Sequence, residues 1–414
     1  MVPLLVLMML TGAGRWLPET QALPTGQSGP LGSQGQPDGQ DAMAAKAVAS
    51  ASNVFGMDLY EAVRGGGGEA SNVVVSPLSA SAALALALQG ARNRTAQQLA
   101  RALHVADDAR DAARGFRALL ARTKESEQVR LRMANKVFAA RTFGVKDDFR
   151  RTAQEDFRAD AEAVDFLQDT EGARQAVNAW VGNATGGLIP ELYAKGNLEP
   201  STLMLLVNAI FFKGNWATPF KEENTKERPF HVTPSQQVLV PTMRDIVNAD
   251  TADLPQLNAS VLQLFYNDNE TKLLIFLPDE VDGFQQLENN LRLINLDEIK
   301  FDSLAMEVQL PKFKIATNLQ LKPALMKLGV DDFFDRQKAN LTGISDEKGL
   351  FASKVLHRAV IEVTEKGTEA AAATSVELTN KFVPDFRVNR PFIFMLVDVY
   401  QTVLFMGRVT NPLE

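Results

Sequence analysis

Apolar residues recur along this chain with two different periods, and the change of period divides it in two. Met43, Val48, Val54, Phe55, Met57 and Leu59 cluster toward one side of a helical wheel, which predicts an amphipathic helix from near Asp41 to about Arg64. Gly65 to Gly68 make a loop, and Asn72 to Val75 is a short apolar strand. Ser76-Pro77 then opens a second helix with proline in its first turn. That helix is Ala, Leu and Ser almost throughout to Leu88, so it should be buried on all sides. Helical patterns continue to about Lys124 and return over 145–157 and 170–194. Beyond them the chain reads as strands at 203–212, 238–243, 259–266, 271–277, 306–316, 359–364 and 392–407. No repeat and no Pro/Gly-rich linker follows residue 68, so a single mixed α+β domain over 43–414 is expected.

One stretch breaks the pattern. Residues 365–382 lie between two strongly apolar strand patterns, yet they are small and polar. A connection this long without structure of its own points to function. Its alternation is informative. Thr368, Ala370, Ala372, Thr374, Val376 and Leu378 are uncharged and would share one face of an extended strand, whereas Glu369 and Glu377 fall on the other. The segment is thus an exposed loop written as a strand with one buriable side, a two-state element.

The first ten residues are an apolar run followed by small residues to Gly14, the size of a signal-peptide core and too short to span a bilayer. Residues 1–22 are therefore expected to be a signal peptide, with cleavage near Gly12-Ala-Gly14 or Thr20-Gln-Ala22, and the protein to be secreted. No Lys or Arg precedes the core, which leaves a plain hydrophobic start as the alternative. Eight of the twenty residues Gln21 to Gln40 are Gly or Pro, so 23–42 reads as a flexible arm. No later segment has eighteen uncharged apolar residues, and no membrane association is expected.

Composition removes several kinds of chemistry. The chain has 414 residues, a net charge of −7, no cysteine and three histidines, His104, His231 and His357. Thiolate nucleophiles, disulfides and cysteine–zinc sites are excluded, and no histidine lies in HExxH, so neither a metal nor a cofactor is expected. The acidic balance argues against nucleic acid. Gly65-x-Gly67-x-x-Ala70 loosely matches a dinucleotide fingerprint, but a helix precedes it and a strand follows, the reverse of what that chemistry needs. GxxxxGK[ST] and GxSxG do not occur. Arg110, Arg114 and Arg117 would share a helix face suited to a heparin-like glycosaminoglycan. The alternative is a solvated face neutralised by Asp107, Asp108, Asp111 and Glu125. Asn93, Asn183, Asn258, Asn269 and Asn340 head Asn-x-Ser/Thr sequons and are glycosylation candidates in a secreted chain.

Four motifs in order resemble the serpin family of serine protease inhibitors over roughly residues 45–414. They are Asn72-Val-Val-Val-Ser76-Pro-Leu-Ser79, Asn208-Ala-Ile-Phe-Phe-Lys-Gly-Asn-Trp216, His357-Arg-Ala-Val-Ile-Glu-Val-Thr-Glu365 continuing to Thr374, and Phe386-Arg-Val-Asn-Arg-Pro-Phe with Leu404-Phe-Met-Gly-Arg. The resemblance implies three β-sheets and about nine helices, with an exposed reactive-centre loop at about 365–385. It implies a monomer that is not an enzyme. A target protease would acylate the loop, and the loop would then insert into the central sheet and trap the protease covalently. Counted from Glu365 as in inhibitory relatives, the cut falls at Lys381-Phe382, and a lysine there suits trypsin-like proteases. The distance on to Phe386 is about one residue short, so Asn380 or Phe382 remains an alternative for the specificity pocket. The hinge would comprise Glu365, Gly367, Thr368, Ala370, Ala371, Ala372 and Ala373, small enough to favour inhibition over a carrier that is cleaved as a simple substrate. Ser76, Ser79, Asn208 and His357 would form a polar cluster beneath the opening sheet, and Trp216 and Lys312 would join Glu365 at its top.

Overall fold

A computed structural model describes residues 39–65, 71–106, 108–123, 128–268, 270–366 and 383–414. The expected signal peptide, Gly367 to Phe382 with the hinge alanines and the Lys381-Phe382 bond, and Asn269 lie outside the described residues. Helix α1 (Gly39–Arg64) begins inside the segment expected as an arm, with Asp41 in its first turn. Strand β1 (Val73–Val75), α2 (Pro77–Gly90), α3 (Asn93–Ala102) and α4 (Ala109–Arg122) follow. Next come β2 (Val129–Ala140), α5 (Asp147–Phe157), β3 (Asp160–Val164), α6 (Thr170–Ala184) and β4 (Met204–Gly214). The second half runs β5 (Lys226–Thr233), β6 (Gln236–Leu254), β7 (Ala259–Phe265), β8 (Thr271–Pro278), α7 (Phe284–Asn289), β9 (Asp302–Pro311) and β10 (Phe313–Gln320). It closes with α8 (Lys322–Lys327), β11 (Lys354–Val363), β12 (Asp385–Arg387), β13 (Phe392–Asp398) and β14 (Val403–Val409).

The chain is α+β as expected, but the counts differ. Among the described residues there are eight α-helices and two hydrogen-bonded sheets rather than three. The cause is β6: its 19 residues pair with β5 over Gln236–Thr242, with β9 over Thr242–Thr251 and with β7 over Asp250–Leu254, so one strand joins what would otherwise be two sheets. The five-stranded sheet has the order β10-β11-β4-β2-β3. Helix α2 is buried around its whole circumference, as its composition predicts, and its Ser79 and Ser76 reach that sheet.

Several strands escape the periodicity. Strand β2 carries Arg130, Arg132 and Lys136, which mask its alternation; Lys136 is nevertheless buried because Asp160 and Glu162 of β3 hold its ammonium at 3.0 and 2.7 Å. Helix α6 stops ten residues earlier than its pattern, because Gly186 and Gly187 take left-handed φ values of 62° and 80°. The 306–316 pattern is two strands broken at Lys312, and 392–407 is a hairpin whose turn holds Gln401 at φ 60°.

Candidate functional site

The relevant geometry lies between β4 and β11. These neighbours run parallel, with Lys354 opposite Leu205 and Glu362 opposite Lys213, while each pairs antiparallel with the strand on its other side. A strand laid between them would be antiparallel to both, the better-matched hydrogen-bonding arrangement. Residues 364–366 leave β11 at the end where such a strand would enter.

Two clusters hold the pair together. Midway along, Asn135 of β2, Asn208 of β4 and His357 of β11 stand in one row across the sheet, all buried. Ser76 caps α2, its hydroxyl accepting from the Ser79 amide at 3.2 Å, which leaves its own backbone N–H free to donate to His357 Nε2 at 3.0 Å. Because Nε2 accepts, the proton sits on Nδ1, which donates to Asn208 Oδ1. The Asn208 amide in turn donates to the Ser79 carbonyl at 3.0 Å, to the Ser79 hydroxyl and to Asn135 Oδ1. Burial pushes the His357 imidazole down to about 3, so it is neutral at physiological pH.

At the entry end, Trp216 Nε1 donates to the Thr364 carbonyl at 2.8 Å, and its ring stacks on Tyr266 with centroids 4.4 Å apart. Glu365 is buried and doubly held: Lys312 Nζ lies 2.8 Å from one carboxylate oxygen and the Thr225 hydroxyl donates to the other at 2.8 Å. Burial alone would raise this carboxyl. The hydrogen bonds from Lys312, its own backbone N–H and Thr225, with the Lys312 charge, outweigh that and hold it below the usual glutamate range. Lys312 and Glu365 are thus paired, Trp216 reaches the neighbouring Thr364, and Ser76, Ser79, Asn208 and His357 lie in one hydrogen-bonded cluster. Asn135, Thr225 and Tyr266 were not anticipated. Asn135 belongs to the disguised strand β2, and nothing in the local pattern marks the other two.

The arginine face is only partly free. Arg114 Nε is 2.6 Å from Asp41 and Arg117 lies 3.5 Å from Asp156, so α1 and α5 supply neutralising acids; of the neighbours expected to do so, Asp107 and Glu125 lie outside the described residues. Asp108 instead caps α4 through the Arg110 amide, and among the described residues no carboxylate pairs with Arg110. Among the sequons, Asn93, Asn183 and Asn258 are exposed, whereas Asn340 is half-buried and accepts from the Thr342 hydroxyl at 2.8 Å.

Similarity to known proteins agrees with this geometry. The family model Serpin (serine protease inhibitor) matches residues 50–412. A protein named leukocyte elastase inhibitor from Xenopus tropicalis is 36% identical over 376 residues, covering 88% of this chain and 99% of its own. Iris from Ixodes ricinus is 37% identical over 369 residues, covering 86% and 96%. The crystal structure of Serpin48, a highly specific serpin of the insect Tenebrio molitor, superposes with a TM-score of 0.79 at 33% identity, over 88% of this chain and 98% of that one.

Proposed function

The chain belongs to the serpin family of protease inhibitors, and from that premise we propose that it is a secreted suicide inhibitor of trypsin-like serine proteases. The observation that carries the reading is the parallel β4–β11 pair, held by a small set of buried polar groups and bordered by the segment that would separate it. The protease supplies the chemistry. Its serine attacks the Lys381 carbonyl, the Lys381–Phe382 bond breaks, and an acyl-enzyme forms. The freed loop then runs from Glu365 into the gap and carries the tethered protease with it. Gly367 gives the turn its freedom, and the small uncharged side chains at Thr368, Ala370 and Ala372 enter the sheet without desolvating a charge. Trp216, Lys312 and Glu365 anchor the base of the loop, and the His357 cluster resists opening until cleavage. Residues 1–22 direct export, and the exposed Asn93, Asn183 and Asn258 accept glycans.

The name leukocyte elastase inhibitor, borne by the Xenopus relative, favours a second reading. In it the register is one residue later, and Phe382 fills the pocket of a chymotrypsin-like enzyme. Incubation with trypsin and with chymotrypsin, followed by SDS gels and sequencing of the new N-terminus, separates the readings. The first predicts an SDS-stable complex with trypsin and a new N-terminus at Phe382. A new N-terminus at Val383 with chymotrypsin supports the second. Cleavage with no complex from either contradicts both and identifies a carrier that is merely cut.

A further inference from the structure

At the end of the five-stranded sheet remote from Glu365, where β4 and β11 begin, lies a cavity of about 930 Å³. That is toward the upper end of the roughly 300–1,000 Å³ of small-molecule sites. Phe166, Leu167, Leu203 and Phe351 give it hydrocarbon walls, and Leu167 is 68% exposed to water. Four basic side chains, Arg141, Lys322, Arg336 and Lys354, share the lining with two carboxylates, Asp165 and Glu199. Both carboxylates are engaged, Asp165 3.6 Å from Arg141 and Glu199 3.3 Å from Lys354. Among the described residues no carboxylate pairs with Lys322 or Arg336; Lys322 Nζ rests 5.5 Å from the centre of the Phe334 ring, and Arg336 is exposed. The cavity thus carries a positive surplus in a chain whose net charge is −7. The inhibition proposed above assigns it no ligand.

The backbone narrows the choice of occupant. The amides of Ala140, Arg141, Thr202, Leu203, Lys322 and Ser353 all donate within the protein, at 2.7–3.1 Å. A peptide strand finds none of them free to pair with, and a bare phosphate finds no nest of N–H groups. The positive surplus repels metal cations. What is left to a ligand is a pair of cations beside a hydrocarbon wall, which suits an anionic head on an apolar chain. We propose that the cavity binds a single-chain fatty acid. Lys322 and Arg336 take the carboxylate, and the chain lies along Phe166, Leu167, Leu203 and Phe351. The lining spans Ala140 at the end of β2, Lys322 of α8 and Lys354 of β11, so a bound chain ties these elements together and raises the unfolding temperature of the intact protein. Binding needs neither a protease nor loop insertion, so it is independent of the reading above.

Equilibrium dialysis of the delipidated full chain against labelled dodecanoate, kept below its micelle concentration, tests the site. Saturable binding of one dodecanoate per chain is expected. Decanoate, two methylenes shorter, should bind about tenfold more weakly, and dodecanol, which keeps the chain but not the charge, about tenfold more weakly again than the acid. Inorganic phosphate should not displace the label. In the protein, Lys322→Glu/Arg336→Glu should weaken dodecanoate binding about tenfold or more, and Ser201→Trp, which fills the cavity without altering its charge, should do the same. No saturable binding, or binding that both variants leave unchanged, would overturn the proposal. Dodecanol binding as tightly as the acid would remove the carboxylate from it, and displacement by phosphate would make this a simple anion site; either result contradicts it. The dodecanol, decanoate and phosphate arms use the unaltered protein and decide the matter even if a variant fails to fold.

Discussion

Replacing His357 by Gln should remove a defined portion of the pH dependence of stability. The imidazole is buried, accepts from the Ser76 amide and donates to Asn208, and burial lowers its folded value from 6.5 to about 3. The unfolded chain therefore binds a proton that the folded chain refuses. Stability from this group is complete above about pH 6.5 and is lost as pH falls from there toward 3. At pH 5 the loss is about 2 kcal/mol, a large share of the roughly 5–15 kcal/mol that holds a typical protein folded. Glutamine keeps an oxygen that accepts from Ser76 and cannot take up the proton. Urea unfolding of both proteins at pH 7.5, 6.5, 5.5 and 5.0 tests this, because every other titrating group is shared and cancels in the difference. The two stability curves should run parallel above pH 6.5 and converge or cross below it, at about 1.4 kcal/mol per pH unit. Curves that stay parallel down to pH 5 would refute a neutral His357 in the folded chain.

Three further outcomes follow from the same geometry. Thr368→Arg would drag a guanidinium toward the sheet interior beside Val363, at a desolvation cost of several kcal/mol, so complex with trypsin should fall at least tenfold while cleavage continues; an undiminished yield of complex would sink the insertion account. Lys312→Met leaves the Glu365 carboxylate with only its own backbone N–H and Thr225, and because Lys312 is partly exposed the loss should be about 1–2 kcal/mol near neutral pH. Since Glu365 titrates below the usual range, that difference should be present above pH 4.5, disappear as pH falls through its folded value, and show in thermal melts. Gly115→Leu would push a side chain into Val48 and toward the Ala44 carbonyl, 2.8 Å from the added Cβ, separating α1 from α4 at about 1–3 kcal/mol by urea titration.

Much of the fold was legible because period and punctuation agree. The all-apolar run after Ser76-Pro77 is α2, and the runs at 259–266 and 271–277 are β7 and β8 with little change. The strands that were missed are those whose polar residues find partners only in three dimensions. Lys136 reads as a surface residue until β3 brings Asp160 and Glu162 to it. The site shows the same division. Ser76, Asn208, His357, Trp216 and Glu365 are marked by the motifs they sit in, and Lys312 only by the family resemblance. Asn135 became part of the cluster only through its cross-strand pairing with Asn208, and Thr225 only through a hydrogen bond to a residue 140 positions away. Sheet number was misjudged for a related reason: continuity of β6 is a property of hydrogen bonding, not of local pattern.

The central claim is that the β4–β11 gap accepts the cut loop as a strand. Residues 368–378 would exchange one parallel ladder for two antiparallel ones, a net gain of about ten backbone hydrogen bonds at about 1 kcal/mol each. For a domain of this size, that corresponds to an unfolding temperature higher by roughly 10 °C or more. Calorimetry of the intact chain and of the same chain nicked once within 367–382 measures it. A rise of that order in the nicked protein is the predicted result, and an unchanged or lower unfolding temperature would contradict the account.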